Sequence, residues 1–165
     1  MAYTFRPAEP DEVEAVFRLY ADRIRWMEKK GIRQWNVTGY LEAYPIRYYM
    51  RRQSHGDLFV LVSDDTVTGA VVLLQEDDRW PDGADHTALY IHHLVTDPRV
   101  SGAGRVLLAE AEGAALQQKK RAIRLDCAAD NAFLNGYYAS LGYRLAGICR
   151  EGPYAGNRLE KVLIP

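Results

Sequence analysis

The chain has 165 residues, 48% of them apolar and 26% charged, and 21 basic side chains against 22 acidic ones give a formal net charge of −1. A near-neutral total excludes a chain built to coat nucleic acid, and the apolar share excludes a disordered one. A chain of this length buries about 70% of its extended surface, enough for one core and too little for two, so a single domain over residues 1–165 is expected. Met1 to Pro7 leads into no apolar stretch of the kind an export signal needs, and no run approaches the roughly 18 apolar residues of a membrane-crossing helix. With Cys127 and Cys149 as its cysteines, the simplest state is two reduced thiols in a cytoplasmic protein.

Residues 3–6 read as a short strand closed by Pro7. Pro10, Asp11 and Glu12 then open a helix, with Pro in its first turn and carboxylates at the positive end of its dipole. Val13, Val16, Phe17, Tyr20, Ile24 and Met27 follow at i, i+3, i+4, i+7, i+11 and i+14, an apolar stripe at helical period, and Lys29-Lys30-Gly31 supplies the stop. Residues 35–44 are aromatic and turn-prone. Pro45 starts another helix with Ile46, Tyr49, Met50 and Gln53 on one face, ended by His55-Gly56. Residues 57–63 are continuously apolar inside, as a strand covered on both faces is, and Asp64-Asp65 turns the chain back into a strand over 66–75. An acidic loop, 76–86, precedes a strand over 87–96 stopped by Asp97-Pro98. The pattern then predicts a helix over 104–120, with Leu107, Leu108, Ala111 and Ala115 inward, and a strand over 122–128. A short helix over 131–140 and strands over 143–149 and 158–164 complete the chain. Strands and helices mix without strict βαβ alternation, which implies an α/β fold on a mixed sheet.

The stretch from Leu94 to Leu108 ends a strand, passes through small residues and begins a helix. Gly102 and Gly104 allow backbone N–H groups close to an anion, and the helix N-terminus adds partial positive charge. Each hydrogen bond to a charged oxygen contributes on the order of 1.5–3 kcal/mol, so a few such donors hold a diphosphate without a lysine in the loop. A tight strand-to-helix turn that needs glycine for steric reasons explains the same residues. A P-loop is excluded, because Gly104 is followed by Arg105-Val106 instead of Lys-Ser/Thr. The dinucleotide fingerprint is weak: Val106 takes the place of its third glycine, although Asp126 stands near its acidic position.

The second informative segment runs from Asp130 to Tyr143. Asn131, Leu134, Tyr138, Gly142 and Tyr143 match Asn-x-x-(Ala/Leu)-x-x-x-Tyr-x-x-x-Gly-(Phe/Tyr) at every spacing, and Arg99-Val100-Ser101-Gly102-Ala103-Gly104 matches Arg/Gln-x-x-Gly-x-Gly/Ala. Together and in this order, the two motifs resemble those of the GNAT superfamily of acetyl-CoA-dependent N-acyltransferases. The resemblance covers nearly the whole chain and takes in the helix-connecting segment from Trp26 to Trp35, which ends Lys-Gly-Ile-Arg-Gln-Trp. It implies a GNAT-like α/β fold: a mixed, largely antiparallel central sheet of about six to seven strands flanked by about four helices. It also implies acetyl-CoA as co-substrate, no metal, and direct transfer of the acetyl group to a primary amine of a small molecule or peptide.

In the resemblance, the backbone of Leu94, Val95 and Thr96 pairs with the pantetheine arm like an added strand. Arg99 and the amides of Val100, Ser101, Gly102, Ala103, Gly104 and Arg105 hold the pyrophosphate, Asn131 touches the cofactor arm, and Tyr138 stands near the thioester sulfur. A tyrosine hydroxyl, with a reference pKa of about 10, suits protonation of a departing thiolate. Read alone, Tyr138 is more simply a core aromatic with a satisfied hydroxyl, and it is the motif that favours the catalytic reading. Neither nucleic acid nor membrane is an expected partner, and a homodimer is the commonest assembly for such a chain. The loop between Pro98 and Gly102 is shorter than is usual in the family, which keeps a non-catalytic CoA-binding or regulatory module as the alternative. Transfer of another acyl group, or to a hydroxyl, is the nearest enzymatic alternative.

A base must also take a proton from the incoming ammonium. His92 and His93 are neighbours on a strand, so alternation sends them to opposite faces and keeps them from sharing a metal. Either serves as a neutral imidazole, a carboxylate acting through water serves as well, and a packed or surface histidine is the plainer reading of both. His55 and His86 are isolated and the cysteines lie far apart, so no metal cluster is expected. Cys127 ends a strand and reads as a small apolar residue, with a covalent acetyl carrier as the other reading. The loop carrying Glu76, Asp77, Asp78, Asp82 and Asp85 reads as solvated, attraction of a cationic amine being its functional alternative. Trp26, Trp35, Tyr40 and Tyr44 either wall an acceptor pocket or pack a core.

Overall fold

A computed structural model describes residues 2–164. The chain runs β1 (Thr4–Pro7), a 3-10 turn (Pro10–Glu12), α1 (Val13–Lys30), a second 3-10 turn (Trp35–Val37), α2 (Tyr40–Ala43), α3 (Ile46–Ser54), β2 (Leu58–Ser63) and β3 (Thr66–Leu74). It continues through β4 (Ala88–Thr96), α4 (Ala103–Gln117), β5 (Ala122–Ala128), α5 (Ala132–Ser140), β6 (Arg144–Glu151) and β7 (Tyr154–Val162). The strands form one seven-stranded sheet in the order β1-β2-β3-β4-β5-β7-β6. β4 and β5 pair in parallel, while β1–β2, β2–β3, β5–β7 and β6–β7 are antiparallel, so the expected mixed, largely antiparallel α/β architecture is present. The described residues hold five α-helices where about four are expected, because α2 forms within the aromatic stretch that reads as turn-prone.

The chain packs as two compact units, one holding the residues up to Leu73 with His93–Glu110, the other Leu74–His92 with the residues from Ala111 onward. In the first unit β1, β2 and β3 form a meander, and Asp64 and Asp65 take φ of 49° and 58° in the β2–β3 turn. Both central residues at positive φ make the turn whose twist matches its strands. Val16 and Tyr20 of α1 and Tyr49 of α3 are fully buried, and the Tyr20 and Tyr49 rings stack at 4.7 Å. Met50 is not on that face as expected: it is 55% exposed, because one residue of helix turns the side chain about 100° away from Tyr49.

In the second unit β5 pairs with β4 from Ala88–Ala122 to Tyr90–Arg124 and with β7 along its length. β7 starts at Tyr154, four residues before its expected start, because the β6–β7 hairpin closes at Gly152 (φ 57°).

The acidic loop is solvated only in part: Glu76, Asp78 and Asp85 are exposed, but its middle is tied down. Asp77 and Trp80 are buried, and Arg124 lies 4.4 Å from the Trp80 ring while holding Asp82 through Nη1 and Nη2 at 2.8 and 3.0 Å. The Arg124 Nε also donates to Glu160 at 2.7 Å, so its charge is fully engaged. The Asp77 carboxylate takes His92 Nε2 at 2.9 Å and the Arg79 amide at 2.9 Å.

Burial pushes the Asp77 carboxyl up, but the His92 bond and charge, with the Arg79 amide, outweigh it and hold its pKa below the ordinary value. A carboxylate depressed in the folded state contributes stability above its unfolded pKa of about 3.9 and loses it as pH falls through the folded value. Asp77→Asn is therefore expected to cost about 1–3 kcal/mol at neutral pH, with the gap to the parent narrowing below about pH 4. Denaturant unfolding across pH checks this, and a gap of equal size at pH 7 and pH 3 contradicts it.

Candidate active site

The first site segment lies in the first unit, where β4 passes into α4. Val95 and Thr96 are buried, and Arg23 of α1 donates from Nη2 to the Thr96 carbonyl and hydroxyl at 2.8 and 2.9 Å. The Asp97 amide donates to Thr68 O at 2.8 Å. The Asp97 carboxylate accepts the Arg99 amide at 2.9 Å and the Arg99 guanidinium at 2.9 and 2.8 Å, and Val100 N–H bonds Asp97 O at 3.0 Å. The Arg99 hydrogen bonds hold the Asp97 carboxyl below the ordinary carboxylate value. Of the amides expected to meet phosphate, Val100's is thus engaged inside the turn.

The next amides are differently placed. Gly102 has φ 82°, and a Cβ there would meet nothing within 4 Å, so the glycine meets a conformational need and leaves open space beside it. The first bond of α4 runs from Val106 N–H to Gly102 O, at 3.4 Å. Ala103, Gly104 and Arg105 therefore carry first-turn N–H groups, which have no acceptor within a helix. Among the described residues, no backbone carbonyl takes the amides of Ser101 to Arg105.

Further back on β4, His93 has φ 55°. Strict strand alternation therefore fails at this point, which corrects the expected basis for separating the two histidines. They are separated by their partners. His92 meets Asp77 in the second unit, whereas His93 in the first meets Tyr40 through Nδ1 and accepts Tyr20 Oη at its carbonyl. Tyr40 Oη and Tyr49 Oη lie 2.9 Å apart, Trp35 stacks on Tyr40 at 4.5 Å, and Tyr44 and Tyr48 stand edge-on to His93 at 4.3 and 5.1 Å. Burial pushes the Tyr20, Tyr40 and Tyr49 hydroxyls well above their ordinary pKa, so all three stay neutral. Tyr20 and Arg23 carry no sequence signal beyond their helix positions, and their hydrogen bonds to β4 bridge more than 70 residues of chain.

The second site segment, in the second unit, is α5. Asn131 caps it, its side-chain oxygen accepting Leu134 N–H at 3.0 Å. Asn135, which sequence reasoning passed over, ties the helix to the sheet through Ala128 O at 3.0 Å and Asn157 Nδ2 at 2.9 Å. Tyr138 is 8% exposed, its ring edge-on to Tyr137 and Tyr143. No described residue hydrogen-bonds its hydroxyl, so the reading of a satisfied core tyrosine does not describe it. Burial, with a smaller contribution from Cys127, pushes that hydroxyl well above the ordinary tyrosine value.

Burial likewise raises the Cys127 thiol to about 11, and its Sγ sits 3.5 Å from Asn135 Oδ1, so at neutral pH it is an uncharged, packed side chain. Asp126 accepts Tyr154 Oη at 2.6 Å and pairs with Arg79, which leaves it no part in a ribose contact. Among the described residues no group of three His, Cys, Asp or Glu side chains is placed to hold a metal, and no helix is long and apolar enough to cross a membrane.

The sequence model of the Acetyltransferase (GNAT) family matches residues 16–143, a span containing both motif segments. The chain belongs to the GNAT acetyltransferase family. Membership makes it an acyltransferase of the N-acetyltransferase type. It is similar to YesJ of Bacillus subtilis (strain 168), an uncharacterized N-acetyltransferase, at 31% identity over 154 residues, covering 88% of this chain and 84% of YesJ. Its fold is similar to that of a GNAT-family acetyltransferase from Listeria monocytogenes 4b F2365, with a TM-score of 0.81 at 22% identity over 98% of this chain and 95% of that one. A further fold match is the PaiA N-acetyltransferase of Thermoplasma acidophilum, solved with coenzyme A, with a TM-score of 0.77 at 15% identity over 99% of this chain and 100% of that one.

Proposed function

We propose that this GNAT enzyme transfers the acetyl group of acetyl-CoA directly to a primary amine of a small molecule or peptide, with Tyr138 as general acid to the CoA thiolate. The observation that carries the reading is Tyr138, its side chain buried and its hydroxyl held protonated and without a hydrogen-bond partner among the described residues. A general acid must hold its proton until the leaving group needs it, and a hydroxyl already satisfied by the protein has none to give. When bound, acetyl-CoA supplies the thioester whose acetyl carbon the amine attacks as the C–S bond breaks.

The rest of the machinery follows the motif. The backbone of Leu94, Val95 and Thr96 binds the pantetheine arm and polarises the carbonyl, with Arg23 fixing Thr96 in place. The amides of Ser101, Gly102, Ala103, Gly104 and Arg105 hold the pyrophosphate, which fits their lack of backbone acceptors and the open space at Gly102. Asn131 caps α5 with its oxygen and keeps its NH₂ for the cofactor arm. Cytoplasmic location, no metal and a homodimer complete the reading.

Thermal unfolding with acetyl-CoA, CoA and NAD in parallel tests it. A ligand at about 100 times its Kd stabilises by roughly 2.7 kcal/mol, about 5–10 °C at this chain length. Both CoA species are expected to shift Tm, and NAD is not. Gly104→Val is expected to weaken acetyl-CoA by tenfold or more with the free protein still folded, as its side chain obstructs the amides of the first turn of α4. A shift with NAD alone, or equal acetyl-CoA affinity in Gly104→Val, overturns the assignment.

A further inference from the structure

On the surface of the first unit, an open groove of about 210 Å³ is lined by Glu42, Ala43, Pro45, Arg47, Tyr48 and Arg51. Arg47 and Arg51 stand one turn apart on α3, a spacing at which like charges destabilise a helix. Among the described residues neither guanidinium has an ion pair or a hydrogen-bond acceptor. The next arginine of the same helix is paired: Arg52 donates to Asp57 at 3.0 Å and lies 5.4 Å from the Tyr48 ring centre. Two cations against the single carboxylate of Glu42 leave the groove wall one positive charge in excess. That balance fits a monoanion, and the guanidinium fork matches the two oxygens of a carboxylate.

One wall of the groove, Tyr48, neighbours β4. Tyr48 stands edge-on to the His93 ring at 5.1 Å, and His93 immediately precedes Leu94, the first of the β4 residues assigned to the thioester. An acceptor anchored at Arg47 and Arg51 and running past Tyr48 has its far end on the β4 side. We infer that Arg47 and Arg51 bind a carboxylate carried by the acyl acceptor, so that the substrates are amines bearing a carboxylate at the end remote from the reacting nitrogen. The inference rests on the acetyltransferase reading above and assigns the other end of that enzyme's acceptor.

The test compares β-alanine, γ-aminobutyrate and δ-aminovalerate with ethylamine, propylamine and butylamine, in the parent and in Arg47→Ala/Arg51→Ala. With acetyl-CoA saturating, the parent is expected to favour at least one amino acid over its matched alkylamine by about tenfold or more in kcat/KM, and the ratio to fall towards one in the double variant. Saturation-transfer NMR with the same compounds reads binding without turnover: the amino acids contact the parent and lose contact in the variant. The thermal shift with acetyl-CoA is expected in both proteins, which shows that the variant is folded.

Equal rates for amino acids and alkylamines in the parent, or a preference or contact that survives the double substitution, overturns the carboxylate site and leaves the acetyltransferase reading standing. A stronger preference for the aminoalkylphosphonate analogue also overturns it. If no amine is acetylated but the arginine-dependent contact is seen, the acetyltransferase reading fails and the carboxylate site stands.

Discussion

Tyr138→Phe is expected to lower kcat for amine acetylation by about 100- to 10,000-fold and to leave the acetyl-CoA affinity close to that of the parent. The substitution is a clean one because the hydroxyl makes no hydrogen bond to any described residue, so its loss breaks no protein contact. The ring keeps its edge-on packing against Tyr137 and Tyr143. What disappears is a proton donor whose burial keeps it protonated across the working pH range. Steady-state kinetics with an active amine, together with acetyl-CoA titration, separates the two effects. Unchanged turnover removes Tyr138 from the mechanism, and a loss confined to acetyl-CoA affinity makes it a binding residue.

Gly83→Ala is expected to cost about 3 kcal/mol or more and to lower Tm by roughly 6–12 °C. A Cβ at Gly83 would stand 1.7 Å from the Asp77 carbonyl oxygen and 2.7 Å from its carbonyl carbon. Both are backbone atoms and cannot swing aside as a flexible side chain does. The same peptides are tied together, Asp77 N–H to Gly83 O at 3.1 Å and Gly83 N–H to Trp80 O at 3.0 Å, so relief requires the loop to open. Opening it draws Trp80 from under Arg124 and leaves a buried cation with fewer partners. A thermal melt decides the matter, and a loss below about 1 kcal/mol contradicts this account of the loop.

That loop shows where sequence reasoning ends. The Asp77 and Asp82 carboxylates suggest solvent because the groups that hold them, His92 and Arg124, lie on other segments and carry no local signal. Local signals did work where the cause is local. Asp64-Asp65 marked the β2–β3 turn, Gly31 marked the end of α1 with φ 68°, and the glycines after Asp97 marked the start of α4. α4 ends at Gln117, before its expected end, because Lys119 takes φ 60° and Lys120 reaches back to His86 O at 2.8 Å.

The candidate site divides along the same line. Tyr138 and the glycine loop belong to motifs with fixed spacing and are legible in the sequence. The positive φ of His93, and the Tyr20 and Arg23 bonds that hold the end of β4, follow from packing of α1 against residues more than 70 positions later, which no window of sequence contains. Arg47 and Arg51 read as ordinary helix-surface charges until the groove between α2 and α3 brings them into one wall.

The central claim is transfer to an amine, and the most direct measurement is release of CoA thiol from acetyl-CoA with and without a panel of primary amines, with the acetylated product identified by mass spectrometry. The account predicts release that depends on the amine, one N-acetyl product formed for each thiol freed, and loss of both in Tyr138→Phe. Acetyl-CoA that binds and shifts Tm while no amine raises thiol release above the amine-free rate contradicts it, and makes the chain a CoA-binding module that retains the fold without the chemistry.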